Sequence, residues 1–292
     1  MKQNTWNRFI PELLILLALA LPSFAQRGEG PLDKSEPKGI TPQQIIQKFA
    51  TKEKEFKEAR ERYTWRQIVV VQTLDGNTVD GEYRMVYDVL FDNKGRRTNQ
   101  VVFAPQSTLT RISMSKEDID DIENRLPFVL TTDDLPHYDV LYVGKQRQDE
   151  LDTYVFDLAP KQIEKDKRYF QGRIWVDQQD FQIVMTRGTT VPQIRKKNEE
   201  NLFPAFTTWR EQVDGRYWFP TYTRADDTLK FTGGDVRIRE IIKYENYKRF
   251  GSDVKITYEG EELEKGSPQP SQQPSGQQQT QQPTNQSQNG KP

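Results

Sequence analysis

The stretch YFQGRIWVDQQDFQIVMTR, residues 169–187, contains two short runs rich in β-branched and aromatic residues. Asp177-Gln-Gln-Asp180 separates the runs and suits a tight turn. In the second run apolar and mainly polar positions alternate: Phe181, Ile183 and Met185 against Gln182, Val184 and Thr186. A period of two is typical of a half-buried strand. The stretch therefore predicts an antiparallel hairpin with one solvated face.

Similar runs on both sides of this hairpin predict more strands, separated by turn residues such as Asp75-Gly76-Asn77 and Asp214-Gly215. They cover residues 63–73, 83–91, 99–104, 138–144, 152–158, 205–213, 217–224, 228–231 and 236–247. Sequential strands joined by short turns form antiparallel meanders. We expect an α+β domain with one large, curled antiparallel sheet, an incomplete β-barrel covered by an N-terminal helix and short mid-chain helices.

Two segments are expected to cover the sheet. Thr41-Pro42-Gln43-Gln44 is a typical helix start, and a long amphipathic helix follows it. Its apolar stripe contains Ile45, Ile46, Phe49, Phe56, Ala59 and Tyr63, and Lys52, Glu53, Lys54, Lys57 and Glu58 are predicted to lie away from it. Residues 115–125 predict a short acidic helix, and the apolar residues 126–130 are expected to lie under the sheet.

The two ends of the chain differ from its body. Residues 1–25 combine an early Lys2 and Arg8 with nine apolar residues, 13–21, and a small-x-small site before Gln26. This is typical of a signal peptide cleaved after Ala25, and nine residues fall short of the roughly 20 in a membrane-spanning helix. We expect export to the periplasm, a linker at 26–40, a single domain at 41–262 and a disordered tail rich in Gln, Pro and Ser at 263–292.

Several functions lack the residues they need. A net charge of −1 gives no overall attraction to nucleic acid, and zero cysteines exclude thiolate metal sites and disulfides. His137 is the single histidine, so metal sites built from several histidines lack their ligands, and a lone histidine beside a proline in an acidic loop is usually not a catalytic base. Adjacent acids such as Asp133-Asp134 could flank a sugar bond, but acids in turns are usually solvated. We predict no cofactor, no metal and no enzymatic activity.

The order of the strands resembles the LolA-like group, the outer-membrane lipoprotein-sorting proteins and their relatives. The similar residues are Tyr154 to Lys161 (YVFDLAPK), Gly172 to Asp177 (GRIWVD) and Phe181 to Arg187 (FQIVMTR), and the likeness spans residues 41–250. The glycine-rich strand of that family is replaced here by VYDVLFDNKGRR, residues 86–97, so no ligand-binding residue is carried over. The resemblance implies a periplasmic carrier with an apolar cavity for the acyl chains of a lipid or lipoprotein.

The aromatic residues leave two interpretations open. Trp65, Trp175, Trp209 and Trp218 lie in predicted strands, where they either fill a core or line a ligand cavity. If there is a cavity, alternation predicts the following ligand-binding residues: Tyr83, Met85, Tyr87, Val89 and Phe91 as one wall, Trp175, Phe181, Ile183 and Met185 opposite, and Ile45, Phe49 and Phe56 as a lid. A register slip of one residue would reverse each wall.

The first hypothesis is therefore a monomeric carrier of acyl chains that exchanges them with a membrane donor or acceptor protein. The alternative is a periplasmic sensing or protein-interaction module on the same fold, which recruits its partner through its outer face or its Gln/Pro-rich tail. An enzyme is the third alternative.

Overall fold

The structure is a computed structural model and describes residues 30–249 except 93–94, 125, 194, 197–198, 201–204 and 232. Ten strands form one antiparallel sheet in the order β3-β2-β1-β12-β11-β10-β7-β6-β5-β4. The sheet is open, with β3 and β4 as its edges, and it is accompanied by two α-helices. The predicted α+β class with one large antiparallel sheet under helices is confirmed.

The strands are longer than the sequence predicted, because pairing continues through several turn-like residues. Two short strands, β8 and β9, pair only with each other. The bounds are β1 Tyr63–Asp75, β2 Thr78–Phe91, β3 Arg97–Phe103, β4 Tyr138–Gln148, β5 Leu151–Pro160, β6 Tyr169–Asp177, β7 Ile183–Val191, β8 Arg195–Lys196, β9 Glu199–Glu200, β10 Phe206–Val213, β11 Tyr217–Phe231 and β12 Gly234–Arg249.

Helix α1, Pro42–Arg60, begins where the sequence predicted. The Thr41 side chain accepts a hydrogen bond from the Gln44 backbone N–H, and the Gln44 side chain accepts one from the Thr41 N–H. This reciprocal capping box satisfies two donors that a helix start otherwise leaves unpaired. Tyr63 was predicted both as the end of the helical stripe and as the start of a strand; it is the first residue of β1.

The face of the sheet that α1 covers, here called the inner face, carries the main core. Its buried apolar side chains, the inner cluster, come from nine of the ten strands as well as from the helices. On the sheet they include Trp65, Val69, Val71, Tyr87, Val89, Tyr138, Tyr154, Phe156, Leu158, Phe170, Ile174, Val176, Ile183, Phe206, Ala225, Leu229, Val236, Ile238, Ile242 and Tyr244.

Three segments cover the inner face, and we call them the roof: α1, α2 (Lys116–Asn124) and residues 126–131. Asp118 on α2 exchanges hydrogen bonds with Ser115, which precedes the helix as its cap. Ile122, Leu126, Phe128 and Leu130 are buried in the inner cluster. Residues 126–130 therefore pack against the sheet as the sequence predicted.

The hairpin at 169–187 is present as β6 and β7, but its predicted solvated face is wrong. Trp175, Val184 and Met185 are buried with Val155 in a second cluster on the outer face. Leu32, Val143, Leu151, Trp209 and Trp218 pack around these four residues and complete this outer cluster. The hairpin is buried on both faces because neighbouring strands and the N-terminal segment contribute large side chains there.

Strand β11 also differs from the prediction of two strands at 217–224 and 228–231. Asp226 and Asp227, which suggested a turn, lie inside one continuous strand paired with β12. Asp226 is 3.1 Å from Arg224, 3.3 Å from Arg237 and 3.4 Å from Arg239. Burial raises the pKa of Asp226, but hydrogen bonds from Arg224 on the same strand and from Arg237 and Arg239 on β12 outweigh it and hold the pKa below its usual value.

Part of the predicted linker at 26–40 is a structured arm. Residues 30–35 lie along edge strand β4, with hydrogen bonds from the Asp33 N–H to the Lys145 carbonyl at 2.8 Å and from the Lys145 N–H to the Asp33 carbonyl at 2.7 Å. Gly30 donates to the Arg147 carbonyl at 2.8 Å. The arm thereby covers part of a sheet edge that would otherwise be open for pairing.

The predicted signal peptide at 1–25, the tail at 263–292 and residues 250–262 of the predicted domain lie outside the described residues. Within the described part, no helix has both the length and the apolar character needed to span a membrane.

Candidate ligand-binding site

The predicted wall on β2 lies on the inner face. Tyr87 and Val89 are buried within the inner cluster, and Tyr83, Met85 and Phe91 are partly buried against it. The other alternate residues of the strand, such as Val86 and Asp88, point to the outer face, where Asp88 pairs with Arg66 at 2.8 Å. The β2 residues thus form a continuous apolar surface opposite the roof.

The predicted lid on α1 meets two different parts of the sheet. Ile45 and Phe49 are fully buried in the inner cluster, and the Phe49 ring lies 5.5 Å from that of Phe156 on β5. Phe56 lies in a separate small cluster with Tyr63 and Phe219, where its ring is 5.0 Å from that of Phe219. The helix therefore crosses the sheet diagonally between β5 and β11.

The predicted opposite wall is divided between the two faces. Ile183 is in the inner cluster, and Phe181, in the turn before β7, is half-buried beside it with a positive φ of 57°. Trp175 and Met185 are in the outer cluster, so their predicted place on the inner wall is wrong.

A bulge explains the error. Trp175 pairs with Met185, while its neighbour Val176 pairs with Ile183, so Val184 is an extra residue on β7. Such a bulge breaks the period of two and places Ile183 and Met185 on opposite faces. Trp175 itself lies between two inner-face residues, Ile174 and Val176, and must point outward.

The space between roof and sheet is filled by side chains. The two best-formed pockets of the described residues are open clefts of about 240 and 270 Å³ at other places. The smaller cleft lies on the outer face beside Trp209 and Arg224, and the larger lies beside the end of α2. A site for a whole acyl chain on the inner face therefore requires the roof to move.

A buried ion pair fastens the roof. Arg210 on β10 contacts Glu53 on α1 through both guanidinium Nη atoms, at 2.8 and 3.1 Å, and each side chain is 1 % exposed. Arg210 also donates to the Phe128 carbonyl in the roof and to the Ile183 carbonyl at 3.4 Å. Burial raises the pKa of the Glu53 carboxyl, and the positive charge of Arg210 opposes that rise. One residue thus joins α1, residues 126–131, β7 and β10.

Polar side chains connect the rest of the roof to the sheet. Thr208 donates to the Leu126 carbonyl at 3.0 Å and shares a hydrogen bond with Thr223, which lies 3.2 Å from the Tyr244 hydroxyl. Arg97 on β3 donates to the Glu123 carbonyl of α2 at 2.8 Å and to the Gln67 side chain at 3.1 Å. Helix α2 is therefore held to the sheet by hydrogen bonds and by the apolar side chains of Ile119 and Ile122.

The sequence analysis missed these polar residues. Glu53 was predicted to lie on the exposed side of α1, but it follows Phe49 by four residues and precedes Phe56 by three. That spacing puts it on the buried stripe. On β10, alternation places Arg210 on the same face as Phe206 and Thr208, which is the inner face. The sequence signal that could have identified both residues is a charged side chain at a position where the periodic pattern calls for an apolar one.

The larger cleft contains His137, in a 3₁₀ turn at Leu135–His137. Its lining is mixed: Asn124, Phe128, Val129, Asp134, His137, Tyr138, Glu164, Lys167, Arg168, Tyr169 and Phe170. Glu164 pairs with Lys167 at 2.6 Å, and Arg168 pairs with Asp121 of α2 at 2.9 Å. Within the described residues, no group of three or more acidic, histidine or cysteine side chains is arranged to hold a metal ion.

No protein-family model matches the chain. The comparison with curated proteins likewise finds no match.

Solved structures do show similarity. The LolA superfamily protein NE2245 from Nitrosomonas europaea is 17 % identical, with 73 % of this chain and 94 % of that chain covered at a TM-score of 0.32. A crystal structure of MucB is 11 % identical, with 69 % and 91 % covered at a TM-score of 0.24. The MucA/MucB complex of Pseudomonas aeruginosa is 9 % identical, with 68 % and 98 % covered at a TM-score of 0.19. The first of these carries the family name that the sequence resemblance indicated. At this similarity the likeness extends to no ligand, partner or activity.

Proposed function

We propose that this chain is an exported, non-enzymatic binding protein of the cell envelope that takes the acyl chain of a lipid or lipoprotein between the inner face and the roof. The observation that carries the proposal is the inner face itself. It is a largely apolar surface on an open sheet, with a few buried polar side chains such as Arg210 and Thr208, and three separate segments cover it.

An acyl chain can replace the contacts that the roof now makes. Ile45, Phe49 and Ile122 of the roof are buried in the same inner cluster as Tyr87 and Val89 of the sheet. Each methylene moved from water into such surroundings contributes about 0.8 kcal/mol. A chain of a dozen carbons therefore supplies enough free energy to offset the separation of roof side chains from the sheet.

The partly polar attachment of the roof favours opening there over unfolding of the sheet. Residues 126–131 have no regular secondary structure, and α2 has nine residues. Strands β1, β2, β11 and β12, by contrast, are paired over ten or more positions on at least one side. Elements with few contacts open at lower free energy than the strands of a core.

The proposal also includes the export signal, the domain bounds and the tail that the sequence predicted. Residues 1–25 act as a cleaved export signal, the domain extends over 41–262, and the tail at 263–292 follows it. The protein works as a monomer in the periplasm, because a carrier has to leave one membrane protein before it meets another.

Lipid analysis of the exported protein tests this function. The full chain is expressed with its own N-terminus, purified from the periplasm without detergent, extracted with organic solvent and analysed by mass spectrometry. We expect acyl lipid in a stoichiometric amount, and none with a periplasmic protein purified in parallel. Absence of bound lipid, together with no uptake of a fluorescent fatty acid, would contradict the proposal.

A second candidate function, recognition of a protein partner, is favoured by edge strand β3. Its residues Val101, Val102 and Phe103 are 56, 49 and 51 % exposed. An exposed apolar edge can pair with an extended peptide by strand addition. A photo-crosslinking residue at Val102 would then capture one defined partner in cells, while the same residue at Leu141, which is 65 % exposed on β4, would not. Equal labelling at both positions would contradict this function.

A further inference from the structure

Glu240 is a carboxyl group in the middle of the apolar inner face. It lies on β12 between Ile238 and Ile242, which are both fully buried, and its strand neighbours are Val71 on β1 and Ala225 on β11. Its side chain is 0 % exposed. Neither carboxyl oxygen has a hydrogen-bond partner among the described residues. A buried polar group without a partner costs free energy and calls for a functional explanation.

Helix α2 adds negative charge above this position. Asp118 and Asp121 are both buried, and their charges, together with the burial of Glu240, raise the Glu240 pKa well above its usual value. Asp118 is bonded to Ser115, and Asp121 lies 2.9 Å from Arg168. Both aspartates therefore have partners, whereas Glu240 faces them from the sheet with none.

The chemistry of the surroundings defines what could satisfy Glu240. A carboxylate is best stabilised by a charged N–H donor, and the strength of that bond increases where water is excluded. The residues next to Glu240 on the inner face are aliphatic and suit an alkyl chain. A molecule that fits both requirements has an ammonium group and a long apolar chain.

The larger cleft gives such a molecule a way in. It opens beside Asn124, the last residue of α2, and Arg168 forms part of its wall. The Arg168 side chain is 12 % exposed and bridges from the cleft to Asp121. None of the three nitrogens of this guanidinium has a hydrogen-bond partner among the described residues, so its contact with Asp121 is an ion pair without a well-aligned hydrogen bond. Arg168 thus lies in the wall of the cleft and also contacts the buried face of α2.

We propose that, among amphiphiles, the inner face binds most tightly those with a primary ammonium group, which donates hydrogen bonds to Glu240 beneath α2 while the alkyl chain lies along the inner cluster. This inference rests on the proposed function and specifies the class of its ligand. On binding, the Glu240 carboxylic acid gives its proton to the buffer, and the resulting carboxylate pairs with the ammonium group.

Calorimetric titration of the full mature chain with dodecylamine and with dodecanol, both below their micelle concentrations, tests the inference. We expect dodecylamine to bind at least tenfold more tightly than dodecanol at pH 6.5. In Glu240→Gln the ratio of the two affinities should fall to about one. Glu245→Gln, an exposed position five residues further along β12, is the matched control and should keep the wild-type ratio.

Proton release is a second readout that does not depend on a variant. Titrations in two buffers of different ionisation enthalpy should show net proton release on binding of dodecylamine, and none for dodecanol. Equal affinity for amine and alcohol in the wild type, or amine binding without proton release, would overturn the inference and leave the proposed function intact. Failure of both ligands to bind, together with no uptake of a fatty acid, would overturn the proposed function itself.

Discussion

Glu53 on α1 and Arg210 on β10 form a bidentate ion pair whose side chains are each 1 % exposed. It is the contact through which the long helix, the irregular part of the roof and the sheet meet. Two opposite charges are tolerated in the interior when they pair with each other. If one partner is removed, the other is left buried with neither water nor a counter-charge.

Glu53→Gln should lower the free energy of unfolding by about 3–5 kcal/mol, since it leaves the Arg210 charge buried without its counter-charge. Urea denaturation measures the change. The control is Glu55→Gln, in the half-exposed Lys52–Glu55 pair of the same helix, which should change stability by no more than about 1 kcal/mol. The double substitution Glu53→Leu with Arg210→Met should cost less than Glu53→Gln alone. A single variant as stable as the control would show that the pair does not hold the roof.

The pKa of Glu240 predicts a pH dependence of stability. Because the folded protein holds this pKa above its usual value near 4.5, the unfolded chain loses the proton first as the pH rises. Wild-type stability should therefore fall from about pH 4.5 up to the raised pKa, by about 1.4 kcal/mol per pH unit for this one group. Glu240→Gln removes the effect.

The measurement is the difference in unfolding free energy between Glu240→Gln and wild type at several pH values from 4.5 to 7.5. The difference should grow in favour of the variant as the pH increases, because groups that do not interact with Glu240 cancel. A difference that is constant with pH would mean that Glu240 is not held protonated under α2.

Gly144 on β4 determines whether the N-terminal arm can lie against the sheet edge. Its φ is +146°, and a Cβ at this position would be 2.4 Å from the Asp33 carbonyl oxygen. Gly144→Ala should therefore displace the arm and destabilise the fold by more than about 1 kcal/mol. Hydrogen exchange at the Asp33 and Lys145 amides should become faster.

Gly233→Ala is the control for that experiment, because a Cβ there meets nothing within 4 Å. It should leave both amides as protected as in the wild type. Unchanged protection in Gly144→Ala would show that the arm does not depend on this close approach.

The sequence predicted those features that depend on local chemistry. The capping box at Thr41 and Gln44 fixed the start of α1, and simple alternation placed Tyr83 to Phe91 correctly because β2 has no bulge over that range. The β6–β7 hairpin was predicted from its turn residues. Local patterns suffice where a strand or helix is regular.

The remaining errors come from contacts between distant parts of the chain. Trp175 and Met185 were assigned to the wrong face because a bulge at Val184 is set by pairing geometry and leaves no composition signal. Burial of the outer cluster could not be predicted, since Leu32 reaches it from more than a hundred residues away in sequence. Glu53 was predicted to be exposed because its partner, Arg210, lies on a strand far along the chain.

The central claim is that an acyl chain binds on the inner face, beneath the roof. Met85 and Val86 are adjacent half-buried residues of β2, but Met85 packs against the inner cluster and Val86 points to the outer face. Uptake of a fluorescent fatty acid is measured for the wild type, Met85→Lys and Val86→Lys, with the fold of each checked by circular dichroism. We predict that Met85→Lys reduces affinity at least tenfold and that Val86→Lys binds as the wild type does. Equal affinity in the two folded variants, or loss in Val86→Lys alone, would contradict the account.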